Sequence, residues 1–115
     1  MTKTLAQLKR DIARGVNIEY VQNEQRIYSE PDRGHVGPWH IMPIPEKRRG
    51  LRYVSHTNTT GFYLKRPEDY TVKGLFCPWP KASDVEYTDD TFIITDRAKN
   101  GQPYQMRTYK IVKYN

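Results

Sequence analysis

The sequence predicts an α+β domain that is mainly β. One N-terminal helix is followed by a curved antiparallel sheet or a small SH3-like or OB-like barrel. Three observations carry this. A single helix-period pattern occupies residues 4–14. After it, apolar and polar residues alternate in short runs separated by turn residues, the mark of half-buried strands. Nine tyrosines replace part of an apolar content of only 37%, and tyrosine, with its large ring and wet end, suits the walls of small β structures. One helix and about six short strands fit a sheet that bends over its own core.

Taken in order, Thr4 with Gln7 fits a capping box, and Leu5, Leu8 and Ile12 fall on one helical face. Gly15 marks the stop, with Lys9, Arg10 and Arg14 near the negative end of the helix dipole. Val16 to Gln22 alternates, with Val21 breaking the polar side. It predicts a strand that turns at Asn23-Glu24-Gln25 into a partner over Arg26 to Ser29. Residues 30–50 are rich in proline and glycine, while Trp39, Ile41, Met42 and Ile44 pin this long loop to the body. Leu51 to His56 and Phe62 to Lys65 flank the polar stretch Thr57 to Gly61 as a hairpin. Tyr70 to Phe76 predicts a further strand, broken by Pro78-Trp79-Pro80. Ala82-Ser83-Asp84 reads as a tight turn or a single helical turn, leading to a strand at Val85 to Tyr87, and Asp89-Asp90 turns the chain into Thr91 to Thr95. Asn100-Gly101 is the strongest hairpin signal, and Tyr104 to Tyr114 returns as a long last strand. Its alternation slips between Met106 and Tyr109, which predicts a bulge there. Residues 1–115 read as a single domain, with strands in 16–29 and 51–114 and neither a repeat nor a linker.

Composition bounds the function. A chain of 115 residues buries roughly two-thirds of its unfolded surface, enough for one core without staples. A single cysteine, Cys77, excludes an intrachain disulfide. With no signal-peptide-like start, it points to a reducing, cytoplasmic setting. Apolar runs span only a few residues, so no membrane partner is expected. Nineteen Lys and Arg against thirteen Asp and Glu give a net charge of +6, which favours polyanions and acidic protein faces.

The densest positive charge is Lys47-Arg48-Arg49, continued by Arg52 beside Tyr53, a mixture of phosphate-pairing and base-stacking groups. The plain alternative is a solvated loop end. Arg107, Lys110 and Lys113 with Tyr104, Tyr109 and Tyr114 form a second basic-aromatic strip, or else an edge strand guarded by lysine against aggregation. Trp39 and Trp79, each beside proline, are contact anchors or plugs under a loop. His35, His40, His56 and Cys77 have the chemistry of zinc ligands but not the spacing, so no cofactor is expected. The same histidines, with the arginines, would also suit a small metal-free ribonuclease. Ser55-His56 is not read as part of a triad, because adjacent strand residues point to opposite faces. Glu86, Asp89, Asp90 and Asp96 show no calcium-loop pattern.

The order Gly61-Phe62-Tyr63-Leu64-Lys65, Trp79-Pro80-Lys81-Ala82-Ser83, Glu86-Tyr87 to Phe92 and Tyr109-Lys110-Ile111-Val112 resembles small proteins carried by phages and mobile elements of Gram-positive bacteria. The helix Thr4-Leu5-Ala6-Gln7-Leu8-Lys9-Arg10 before a glycine turn fits the same pattern, and together these segments cover about half the chain. The resemblance implies a binding protein that acts in a bacterial host cell, on a host protein or nucleoprotein, as an anti-CRISPR-like inhibitor of a defence nuclease does. Many inhibitors of that kind are acidic DNA mimics, and the charge of +6 departs from them. Three functions are therefore expected in order: a non-enzymatic binding protein of phage or mobile-element origin, a small β-barrel that binds DNA or RNA, and a small ribonuclease.

Overall fold

The computed structural model describes residues 2–14, 16–26, 38–66 and 74–112, the side chain of Lys47 excepted. The helix α1 (Leu5–Ala13) begins as its sequence predicts. The Thr4 hydroxyl accepts the Gln7 amide at 3.2 Å, and Gln7 Oε1 accepts the Thr4 amide at 2.8 Å, so two otherwise orphaned donors are satisfied. Leu8 and Ile12 are fully buried and Leu5 partly so. Gly15, expected to stop the helix, lies outside the described residues.

Among the described residues nine strands follow the same alternation logic: β1 (Thr2–Lys3), β2 (Asn17–Arg26), β3 (Trp39–Met42), β4 (Tyr53–Thr57), β5 (Gly61–Lys65), β6 (Leu75–Pro78), β7 (Val85–Thr88), β8 (Thr91–Arg97) and β9 (Pro103–Val112). Every pairing is antiparallel, in the order β1-β7-β8-β9-β2-β4-β5-β6, with β3 added to β2. The fold is thus mainly β with one helix. The barrel alternative is corrected, since the two end strands do not pair and the sheet stays open. The reason lies in those ends. β1 offers two residues, and β6 runs into Pro78-Trp79-Pro80, which removes ladder donors from the edge.

Two strand expectations also change. Asn17 to Arg26 is one continuous strand, and Asn23-Glu24-Gln25 pairs with both β3 and β9 instead of turning. Val21 is the extra residue of a bulge between Tyr20 and Gln22, which explains its break in the pattern and its exposure. The slip expected in the last strand therefore sits on its neighbour. Within β9 itself Arg107, Tyr109 and Ile111 all face inward, and its own irregularity lies at Tyr104, unpaired between Gln105 and Pro103 against β8. β9 is also central, between β8 and β2, so the edge-guard reading of its lysines does not apply. The described part of the strand expected at 70–76 is Leu75–Pro78, and residues 27–29, 70–73 and 113–114 lie outside the described residues.

The inward residues of β2, β4, β5, β6, β7, β8 and β9 meet Leu8 and Ile12 in one core. Tyr109 stacks on Phe92 at 5.1 Å and packs against Tyr20 at 4.8 Å with the rings tilted by 40°. Tyr87 joins the helix by donating its hydroxyl to Asp11 Oδ2 at 2.7 Å. Arg107 is 8% exposed, and burying such a charge is costly unless it is paired. It is paired: Nε and one Nη donate to both oxygens of Asp96 at 2.8 and 3.0 Å, and the other Nη to Tyr109 Oη at 3.0 Å. Burial opposes the Arg107 charge, but Tyr109 and Asp96 outweigh it and hold the guanidinium protonated. Burial likewise pushes Tyr109 up to about 12. Among the described residues no helix is long and apolar enough to cross a membrane.

The position that shapes the rest is the fork on β2. One edge of β2 pairs with β9 from Asn17 to Gln25. The other joins β4 only at Asn17–Tyr53 and β3 only over Asn23–Arg26, and residues 43–52 cross the gap. Asn23, 1% exposed, fastens that crossing: its Nδ2 donates to Pro43 O at 3.1 Å and its Oδ1 accepts Gln105 Nε2 at 3.0 Å. Asn23→Ala removes the bonds to Pro43 O and Gln105 Nε2 at a position that is itself buried. It is expected to lower stability by about 1–3 kcal/mol, read as a shift of the urea midpoint with an unchanged slope.

Candidate nucleic-acid interface

Period-two alternation sends Val54, Phe62, Leu64 and Cys77 into the core, so the intervening residues of β4, β5 and β6 form one outward face. Across it Tyr53 stands opposite Lys65, and Tyr63 stands opposite both His56 and Phe76. His56 reaches this face through a bulge. Val54 pairs with Leu64 and His56 with Tyr63, leaving Ser55 as the extra residue. The expectation that Ser55 and His56 face apart is thereby corrected, because the bulge relaxes the alternation and Ser55 Oγ lies 3.4 Å from His56 Nδ1. That separation, and the 3.5 Å from Ser55 Oγ to Tyr63 O, are long for hydrogen bonds.

The result is a ladder of rings over three strands. His56 and Tyr63 stack with centroids 4.3 Å apart and planes 20° from parallel; Tyr63 and Phe76 follow at 5.0 Å and 49°. Phe76 is 39% exposed and Tyr53 41% exposed. The Lys65 ammonium lies over the Tyr53 ring at 6.0 Å. Phe76 owes its position to Gly61, since a Cβ there would sit 2.7 Å from the Phe76 ring and 2.3 Å from Cys77 O. The glycine lets the ring lie flat over the backbone. At the far end Asn58 closes the hairpin, with its Oδ1 accepting the amides of Thr60 and Gly61 at 2.8 and 2.9 Å.

Cations border the ladder. Arg49 and Arg52 are exposed on the connection entering β4, and Arg66 follows β5. Arg49 Nε donates to Ile44 O at 3.1 Å and Arg66 Nε to Arg49 O at 3.3 Å, which tie the two segments together. Arg48 is half-buried, in the 3-10 turn Glu46–Arg48, and lines a pocket with Tyr20. The side chain of Lys47, in the same turn, lies outside the described residues. Of the basic segment expected at 47–52, Arg49 and Arg52 are exposed on the approach to Tyr53, while Arg48 is turned away from it. Lys65, Arg66, Tyr63 and Phe76 join it through strand pairing. Their only sequence signal is the alternation in Gly61-Phe62-Tyr63-Leu64-Lys65.

The second expected strip is divided. Lys110 is exposed, opposite Glu19 and Thr91, whereas Arg107 and Tyr109 face the core and are bonded to each other. Trp39 on β3 is partly buried beneath the Arg26 guanidinium at 4.7 Å. Trp79 is a plug: it packs on Phe62 at 5.0 Å and donates Nε1 to Asn58 O at 2.9 Å. Of the four zinc candidates, His35 lies outside the described residues. His40 and His56 are exposed on separate strands, and Cys77 faces the core on the opposite side of the sheet from His56, its thiol pushed up by burial. Among the described residues no three His, Cys, Asp or Glu side chains gather as a metal site. A cleft of about 460 Å³ between residues 78–84 and the β8–β9 hairpin contains Arg97 and Arg107, both already bonded to Asp84 and Asp96.

Compared with known proteins, the chain matches no family model, no curated sequence and no solved structure. Gly61→Ala forces Phe76 off the ladder and strains the β5–β6 pairing. It is expected to cost about 1–3 kcal/mol by overpacking and to weaken the near-ultraviolet circular dichroism of the stacked rings.

Proposed function

We propose that the protein is a non-enzymatic binding protein whose ligand is single-stranded nucleic acid, held on the outward face of β4, β5 and β6. The observation that carries this reading is the His56–Tyr63–Phe76 ring ladder bordered by Arg49, Arg52, Lys65 and Arg66. Rings on a sheet give unstacked bases a surface that every base can use, and guanidinium groups along the border pair with the backbone phosphates. A flat basic patch without rings would suit duplex as well as single strands; the ladder favours the strand with free base faces. The charge of +6 adds a long-range attraction that speeds encounter. The resemblance to phage and mobile-element proteins supports a nucleoprotein as the partner in the cell. An inhibitor of a host defence nuclease built this way grips the guide or displaced strand, where an acidic inhibitor mimics DNA.

Fluorescence anisotropy with a labelled oligonucleotide over a salt series tests the reading. Affinity is expected to fall steeply as salt rises, and Arg52→Ala to reduce the slope by about 0.7 in log–log terms, one phosphate contact on a single strand. Phe76→Ala is expected to weaken binding by about 1–3 kcal/mol, the loss of one base-stacking position, with little change in slope. Absent or salt-insensitive binding to single- and double-stranded probes contradicts the reading and leaves a protein partner as the target.

A further inference from the structure

The fork on β2 leaves an opening that the ring ladder does not use. Between the β4 pairing at Asn17 and the β3 pairing at Asn23, that edge of β2 has no partner strand among the described residues, and the crossing segment 43–52 is bonded to it near its two ends, where Ile18 N donates to Arg52 O at 2.9 Å and Asn23 Nδ2 to Pro43 O at 3.1 Å. A pocket of about 120 Å³ opens there, walled by Ile44 and Leu51 and lined by Tyr20, Arg48, Arg49 and Arg52. That is the room of about four waters, enough for a compact oxyanion. Glu19 on the rim is the one carboxylate in the lining, and it stands opposite Lys110 in the β2–β9 ladder.

Two donors on residues that line this pocket, Tyr20 and Arg48, have no partner within the protein. Tyr20 is 9% exposed and its hydroxyl has no hydrogen-bond partner. Gln105 acts on it only as a donor towards the phenol oxygen, with the amide hydrogen that Asn23 Oδ1 does not use, so the phenol hydrogen itself stays unspent. Arg48 Nε is buried and equally without a partner. Burial raises the Tyr20 pKa and keeps the phenol protonated, so it stays a donor. Nearly all buried polar groups in folded proteins are bonded, and a guanidinium Nε can only donate. The group that satisfies both must therefore present acceptor oxygens, and three surrounding arginines ask that it be negative.

We propose that this pocket is an oxyanion site for a phosphate monoester, filled by the terminal phosphate of a strand lying on the adjoining face. Arg49 and Arg52 belong to both the pocket and the border of the ladder, so the phosphate marks one end of the bound strand. The assignment to a strand end rests on the nucleic-acid reading; the oxyanion chemistry of the pocket does not.

The test compares one oligonucleotide sequence bearing a 5′-phosphate, a 3′-phosphate or two hydroxyl ends, by anisotropy, with inorganic phosphate titrated separately by calorimetry. One phosphorylated end is expected to bind at least about tenfold tighter than the hydroxyl-ended strand, the scale of one charge-assisted contact set. Tyr20→Phe and, independently, Arg48→Gln are expected to bring that ratio close to one. Equal affinity for all three strands overturns the strand-end assignment and leaves the nucleic-acid reading intact. Inorganic phosphate bound without any strand, and lost in Tyr20→Phe, supports the pocket and removes that reading. No heat with phosphate and no preference among strands overturns the pocket.

Discussion

Asn23 is buried within β2, a strand paired on both edges, and holds three segments with one amide. Its nitrogen fixes the Pro43 carbonyl and its oxygen takes the Gln105 amide, so β2, β9 and the 43–52 crossing are set relative to one another. Because a buried amide is tolerated only when both ends are bonded, this contact dictates how far the crossing can stand from β2. The fork follows from it, and with the fork come the basic turn at Glu46–Arg48, the entry of Arg52 into β4 and the position of Tyr53 beside Lys65. The outward face of β4–β6 depends on a polar contact at the centre of the sheet.

Two kinds of positive charge coexist in the chain and do opposite work. Arg107 is an interior group: its bonds to Asp96 and Tyr109 neutralise it, and it adds little to the outward field. Breaking that arrangement would leave an uncompensated charge in the core. Arg49, Arg52 and Arg66 are held by single bonds to backbone or stand exposed, and they keep donor capacity for an anion. Net charge alone does not separate the two; pairing does.

Elements governed by local chemistry were legible from the sequence. The capping box at Thr4, the Thr57–Gly61 hairpin, the Asp89-Asp90 turn and the Asn100-Gly101 turn each depend on neighbours within a few residues. The candidate site was half legible. The run 47–52 with Tyr53 is contiguous, whereas Tyr63 and Phe76 meet His56 only after three strands pair. The bulges at Val21 and Ser55 escaped the pattern because an extra residue inverts the face of everything after it. Arg107 was misplaced for a related reason: its inward parity is set by β8 and β2 on either side, and a charged residue in an alternating run reads as outward by default.

Chemical-shift mapping by nuclear magnetic resonance, with a short unlabelled single-stranded oligonucleotide added to isotope-labelled protein, tests the central claim most directly. The account predicts that the largest shifts fall on Tyr53, His56, Tyr63, Lys65 and Phe76, with the ring resonances moving as bases stack on them. Shifts confined to the cleft between residues 78–84 and the β8–β9 hairpin, or no shifts at any strand concentration, would contradict it.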